Sequence, residues 1–451
     1  MSRANALVHE LERATGSDAV LALGSERREY AGDESSAAPA LPDVVVRPAD
    51  AAAVARVLAV AHARRVPVVP VGGRTGLAGG SVPVRGGIAL SLERLDRIGP
   101  VDRDNFTVSA GAGARTAAVQ SAALAAGLFY PPDPASLARS TIGGNIAANA
   151  GGPRCFKYGV TADYVLSLEA VAADGRIFRT GRPTRKNTAG LRLAAALVGS
   201  EGTLAVVTEA TLRLVAGPGA RVAATSRFGS VEAAGEAVVE IVRAGIVPSA
   251  LELLDAECVE LLGLSGGVLL LVEVDGADER SVAADLERLV PLLGREVDVA
   301  RDDAGVERLW ELRRGLAPAI VASTRDFLFQ DVCIPVSRIP EALRGIEAIA
   351  RRRGLRIPVF CHAGDGNLHP SVLFDGRAGD EAERARAAEA DILRLALSLG
   401  GTISAEHGVG LLKLPWLAEE LDAVALDQMR AIKRALDPHG ILNPGKLLPP
   451  P

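Results

Sequence analysis

The sequence predicts an α+β protein of two or three domains, and three observations carry that expectation. The chain has 451 residues, too many for one ordinary core. After a single β-α-β opening, the first half runs through strand after strand with few helices between them. The second half alternates strand-like runs with longer helical runs, the pattern of an antiparallel sheet backed by helices.

In chain order, residues 1–39 read as a helix followed by a polar, Pro- and Gly-bearing loop. "DVVVRP" is a short strand. "ADAAAVARVLAVAHARR" has apolar positions at helical spacing, with Asp50 as its starting cap. "VPVVPV" completes the β-α-β opening. "GIALSL", "FTVSAG", "YVLSLEAVAA" and "LAVVTEATLRLV" follow as strands within a first domain over 40–217. "VAGPGAR" marks a boundary. A second domain over 218–415 holds strands in "GVLLLVEV", "REVDVA", "FLFQDVCIPV" and "IPVFCH". Its helices fall at 230–245, 279–293, 338–353 and 380–399. A C-terminal helical segment occupies 416–451.

Composition narrows the function. Apolar residues make up 48% of the chain, which is globular. The net charge is −5 with no long basic tract, which argues against nucleic acid. Four cysteines lie far apart and never form C-x-x-C, so reduced thiols in a cytoplasm fit better than a disulfide framework. The N-terminus has no basic-then-apolar signal, and no run is long and apolar enough to span a membrane. Peripheral contact with the inner face of a membrane stays open.

Glycine clusters point to a phosphate-bearing ligand. "PVGGRTGLAGGS" (70–81) follows a strand, where glycine lets backbone amides approach a phosphate. "SAGAGART" comes near a dinucleotide fingerprint, but Thr116 stands where its third glycine belongs. Either loop alone is equally well a tight turn. "STIGGNIAANAGGPRCFKYG" (140–159) is too rich in glycine for a stable helix and too long for a turn. "VGSEGTLAVVTEA" (198–210) is a third such stretch. Three in one domain suggest a large ligand wrapped by backbone.

Two of only six histidines, His362 and His369, flank a Gly-Asp-Gly-Asn turn in "CHAGDGNLHP". "GTISAEHGVG" adds Glu406 and His407 side by side. Two imidazoles and a carboxylate suit zinc or manganese, and the pattern equally suits structural histidines.

Together these stretches, with "YPPDPASLARSTIGGNIAANAGG" and "LDPHGILNPGK", resemble the FAD-linked D-2-hydroxyacid dehydrogenases. That family includes D-lactate dehydrogenase, the flavin subunit of glycolate oxidase and D-2-hydroxyglutarate dehydrogenase. It lies within the flavoprotein superfamily of vanillyl-alcohol oxidase and p-cresol methylhydroxylase. The resemblance runs from about residue 40 to 448 in the family's order. It implies a two-part FAD-binding domain of the p-cresol methylhydroxylase type, an α+β substrate domain with an antiparallel sheet, and a C-terminal segment packing back near the FAD.

Carried over residue by residue, the resemblance implies that Gly72, Gly73, Arg74, Thr75, Gly76 and Leu77 hold the pyrophosphate region. Pro132, Ser140, Thr141, Gly143, Gly144 and Asn145 would line the flavin. Asn149, Gly152, Glu201, Gly202, Val207 and Asn443 would complete the FAD cradle. His362, His369 and Glu406 would bind a divalent metal, with Asp365 or Asn367 behind them. His407 would be the base, and Arg313 in "LWELRRGLA" would clamp the substrate carboxylate, with Arg314 as the register alternative. The implied reaction takes a small D-2-hydroxy acid to its 2-oxo acid, with hydride passing to flavin N5. A quinone, a cytochrome or an electron-transfer flavoprotein would receive the electrons. Relatives acting on 2-hydroxyglutarate carry a lysine where this chain has Phe329. An apolar ring cannot pair with a distal carboxylate, which favours lactate or glycolate.

Overall fold

A computed structural model describes residues 3–294 and 296–449; Arg295, at the head of the expected "REVDVA" strand, and the outermost terminal residues lie outside the described residues. The chain forms two compact units. The first takes in 1–151, 160–216 and 406–451, and the second 152–159 and 217–405.

The first unit contains two four-stranded sheets. One has the order Val20–Leu21, Val44–Val46, Ile88–Ser91, Val68–Val71. Its last two pairings are parallel, as a β-α-β opening requires. The crossover helix is Ala51–Arg64, and the Asp50 carboxylate caps it by accepting from the Ala53 N–H at 2.7 Å. The helix ends at Arg65, in the left-handed region with φ 53°. The other sheet has the order Thr107–Gly111, Val206–Arg213, Val165–Val171, Ile177–Gly181 and is antiparallel throughout. Each sheet has its own apolar cluster, one around Val54, Leu58, Ile88 and Leu90, the other around Tyr130, Ile142, Ile146 and Leu212.

The C-terminal segment belongs to this unit. After the helix Ala423–Leu436 the chain returns to strand Val68–Val71. There the Val68 N–H donates to the Ile441 carbonyl and the Asn443 N–H to the Val68 carbonyl, both at 2.7 Å.

The 140–159 stretch departs from the sequence expectation. It contains a helix, Ile142–Ala148, despite its glycines. Propensity is overridden by a cap and by packing: the Thr141 hydroxyl accepts from the Gly144 N–H, and Ile142 and Ile146 are buried in the core. A one-turn helix, Cys155–Tyr158, follows and belongs to the second unit.

The second unit is built on one antiparallel sheet. Its main order is Val297–Ala300, Ala220–Phe228, Val268–Gly276, Ala250–Leu254, Val359–His362, Asn367–Phe374, Asp326–Phe329. Val332–Cys333 pairs the start of Asn367–Phe374. Amphipathic helices Val231–Arg243, Glu279–Leu289, Ile339–Arg353 and Glu381–Ser398 bury their apolar stripes. Two further helices, Asp303–Arg314 and Leu316–Ala322, carry Trp310 and Arg313 into this unit.

Candidate active site

In the first unit the glycine loops meet through their backbones. A Cβ on Gly73 would lie 2.3 Å from the Arg139 carbonyl oxygen, and one on Gly72 would lie 2.6 Å from the Thr141 hydroxyl. Gly143 sits as tightly against Ala112. Only glycine permits this approach, and residues 72–75 and 143–144 remain half-exposed. Arg74 adopts φ 58° and its guanidinium covers the Tyr30 ring at 4.7 Å. Thr75, Gly76 and Leu77 continue the same partly exposed loop. A glycine-lined loop of this kind after a strand fits a pyrophosphate.

Ser140, Thr141 and Asn145 direct their side chains inward. The Ser140 and Thr116 hydroxyls lie 2.7 Å apart, and the Asn145 amide donates to Thr116 Oγ1 at 2.8 Å. Thr116, the residue that broke the fingerprint, is therefore the hub that fixes the 140–145 segment. Pro132 is buried, and its carbonyl accepts from the Gln120 amide at 2.9 Å. Asn149 takes the left-handed conformation at φ 54°, and its side-chain oxygen accepts from the Ala162 N–H at 2.9 Å.

Glu201 and Asn443 brace loops. The buried Glu201 carboxylate accepts from the Val409 N–H at 2.7 Å and from the Gly410 N–H at 3.0 Å. Burial pushes its carboxyl above the ordinary range, with those amides and Lys446 opposing. The Asn443 amide donates to the Glu201 carbonyl at 2.6 Å and to the Gly80 carbonyl at 2.9 Å. Lys446, buried behind Asn443, is lowered to about 8 by desolvation. Gly202 follows Glu201 with φ 69°, and Val207 is half-buried in its strand. Gly152 opens the short segment assigned to the second unit. Glu406 and His407 open the 406–451 segment, with His407 Nε2 4.0 Å from Glu406 Oε1.

The second unit holds the histidine pair. The hairpin register sets His362 opposite Asn367 and Phe360 opposite His369, so the two histidines are diagonal neighbours on one face. Their rings meet edge-on with centroids 5.1 Å apart, and one nitrogen of each lies within 4.8 Å. The turn between them is tight: a Cβ on Gly366, which has φ 83°, would strike the Ile334 carbonyl at 2.0 Å. Phe329 stacks on His369 at 5.5 Å with an 11° interplanar angle, and Phe360 lies 4.9 Å from the same ring.

Two groups here escaped the sequence reading. Glu252, wholly buried, accepts from His362 Nδ1 at 2.6 Å and from Arg313 Nε at 2.8 Å. Burial alone would raise its carboxyl, but His362 and Arg313 outweigh that and hold it below the ordinary range. Asp331, also wholly buried, accepts from the Ser404 hydroxyl at 3.1 Å and the Ala405 N–H at 3.0 Å, and has an oxygen within 4.8 Å of a His369 nitrogen. The available signal was a charge inside each apolar strand context, "ALELL" and "FQDVCI". Arg313 lies over the Phe360 ring at 4.3 Å, whereas Arg314 pairs with Glu307 on the surface. The donor set fits a borderline divalent ion: buried imidazoles, with Nδ1 of His362 tied to a carboxylate so that Nε2 faces the other way.

Two family descriptions match the chain, "FAD binding domain" over 42–181 and "FAD linked oxidases, C-terminal domain" over 218–447. The chain belongs to the FAD-linked oxidases. It is an FAD-binding oxidoreductase. It is 40% identical to glycolate oxidase subunit GlcD of Bacillus subtilis, across 93% of this chain and 92% of that protein. It is 38% identical to D-lactate dehydrogenase of Archaeoglobus fulgidus, across 90% and 91%. A D-2-hydroxyglutarate dehydrogenase of Xanthomonas citri is 35% identical across 90% and 89%. Among solved structures, p-cresol methylhydroxylase shares the fold of this FAD-linked oxidase with TM-score 0.83 at 15% identity, covering 98% and 96%. A 4-ethylphenol oxidase from Gulosibacter chungangensis does so with TM-score 0.80 at 17% identity, covering 99% and 97%. Among the described residues no helix is long and apolar enough to cross a membrane.

Proposed function

We propose that this FAD-linked oxidase oxidises a small D-2-hydroxy acid, of lactate or glycolate type, to the 2-oxo acid. The observation that carries the reading is the triad Arg313–Glu252–His362, which sets a carboxylate-seeking guanidinium and a metal-seeking imidazole on one buried anion. The printed names of the relatives support the same substrate class.

In this reading His362, His369 and Glu406 hold a zinc or manganese ion. Glu406 is one peptide bond beyond Ala405, which Asp331 pins in the histidine-bearing unit. The glycine-lined loops at 72–77 and 140–145 hold FAD. FAD, when bound, would supply the two-electron acceptor, and the ion would supply Lewis acidity toward the substrate hydroxyl. Arg313 binds the substrate carboxylate. A ring nitrogen of neutral His407 takes the hydroxyl proton as the Cα–H bond breaks. Phe329 and Phe360 offer an apolar wall for a short side chain. The electrons leave to a quinone, a cytochrome or an electron-transfer flavoprotein, in a cytoplasmic or membrane-peripheral setting. A second reading, a flavin subunit of a larger glycolate oxidase, is favoured by the word "subunit" in the name of the Bacillus subtilis relative.

The test is anaerobic flavin reduction by D-lactate and glycolate. His407→Asn should keep FAD and metal, and lose flavin reduction by about a hundredfold or more. Reduction at wild-type speed in that variant would move the base elsewhere.

A further inference from the structure

We infer that Glu252 is the positioning residue of this site, one buried carboxylate that aims both the metal-binding imidazole of His362 and the substrate-binding guanidinium of Arg313. The inference rests on the function proposed above and goes beyond it, since Glu252 is neither a ligand nor a proton carrier.

Glu252 occupies the middle of strand Ala250–Leu254, where every other residue is apolar and buried. The register sets it directly opposite His362 on the neighbouring strand, so the two side chains share a face. Each carboxylate oxygen has its own partner: Oε1 meets His362 Nδ1 at 2.6 Å and Oε2 meets Arg313 Nε at 2.8 Å. A carboxylate with no exposed surface persists only when both charge and hydrogen bonds are answered.

Two consequences follow from these contacts. The first concerns the imidazole. With Nδ1–H donating to Glu252, the lone pair of His362 sits on Nε2, and the nearby negative charge makes that nitrogen a stronger donor to a cation. The second concerns the guanidinium. Its Nε–H is committed to Glu252 and its plane is packed over Phe360 at 4.3 Å, so an arriving carboxylate meets the terminal Nη groups. Zinc affinity and carboxylate affinity are therefore linked through one side chain. A purely structural ion pair would give stability and no such link.

The experiment uses the full-length, FAD-loaded protein. Zinc affinity is measured by competition with a chelator. Pyruvate affinity is measured from the flavin absorbance change at saturating zinc. Glu252→Gln preserves size but offers one acceptor where two are needed. It should keep FAD, weaken zinc about 10- to 100-fold and weaken pyruvate at least about tenfold. Arg313→Lys, which removes the Nε–H, should also weaken zinc severalfold although Arg313 is no ligand.

Wild-type zinc and pyruvate affinities in Glu252→Gln would overturn the inference. If Glu252→Gln fails to hold FAD, Arg313→Lys decides, and unchanged zinc affinity there overturns it. If the wild-type protein binds no divalent ion, the metal reading of the site fails instead. The pyruvate arm, run without added zinc, then tests the aiming of Arg313 by Glu252, and unchanged pyruvate affinity in Glu252→Gln overturns the inference.

Discussion

At the scale of residues, Phe329 has two roles that pull on one experiment. The family resemblance sets it at the position expected to hold a lysine for a distal carboxylate, and it stacks on His369 at 5.5 Å. Such aromatic pairs contribute about 0.5–1.5 kcal/mol beyond area. A small 2-hydroxy acid should therefore outperform D-2-hydroxyglutarate in the native protein. Phe329→Lys should narrow that gap in kcat/KM and lower the rate with both substrates, because His369 loses its packing. A native preference for the dicarboxylate, measured with a dye acceptor, would show that another cation serves the distal group. The Arg313–Glu252 pair carries more weight than the many surface pairs of this Arg-rich chain. Surface pairs such as Arg243–Glu240 contribute about 0–1 kcal/mol, whereas stripping one partner from a buried pair costs about 3–5 kcal/mol.

At the scale of elements, the site depends on loops that only glycine can build. Gly73 has no room for a Cβ, since the obstacle is the Arg139 carbonyl rather than a movable side chain. Gly73→Ala should push the 72–76 loop off the 139–144 segment. Most of the FAD bound after purification should be lost, while the second unit, which lacks these loops, keeps its fold. FAD occupancy by absorbance, with circular dichroism alongside, checks this; full occupancy would show that the loop does not contact the cofactor. The histidine hairpin obeys the same rule at Gly366. Gly364 adds another case: its Cβ would lie 2.6 Å from Phe156 Cγ, so the 152–159 segment is seated on the hairpin turn within the second unit. Two ion pairs hold that segment to strand Val268–Gly276, Lys157 with Asp275 and Arg154 with Glu273 at 3.5 Å.

At the scale of the whole molecule, both units bury carboxyl groups at a cost that depends on pH. Asp255 caps helix Ala256–Leu261, accepting from the Cys258 N–H at 2.8 Å and the Val359 N–H at 2.7 Å. Burial nevertheless raises its carboxyl to about 7. In the unfolded chain an aspartate titrates near ~4. Between those values the native state holds a proton that the unfolded state has released, so stability from this group falls as pH rises from ~4 to ~7 and is flat above. Glu201 acts in the same direction in the first unit. Asp255→Asn removes the titration. The thermal midpoint of the variant relative to wild type should rise from pH 4 to 7; a pH-independent difference would mean that Asp255 is ionised throughout.

Much of this organisation is legible in the sequence because it is local. Alternation and helical spacing mark the strands and most of the helices, and Asp50 marks its helix start. Glycine density marks the backbone-lined loops, because no other residue tolerates their close approaches. His362 and His369 stand out because a short turn of fixed hairpin register joins them. What the sequence could not decide were pairings made far along the chain. Glu252 and His362 become neighbours only when strands 110 residues apart align in register, and Arg313 reaches Glu252 from a separate helix. Thr116 reads as a failed glycine until residues 140 and 145 close around its hydroxyl. The Ile142–Ala148 helix forms against its own propensity because the core buries Ile142 and Ile146. In each case the deciding energy is the burial of a polar or apolar group among residues distant in sequence, and that exists only once the chain has folded.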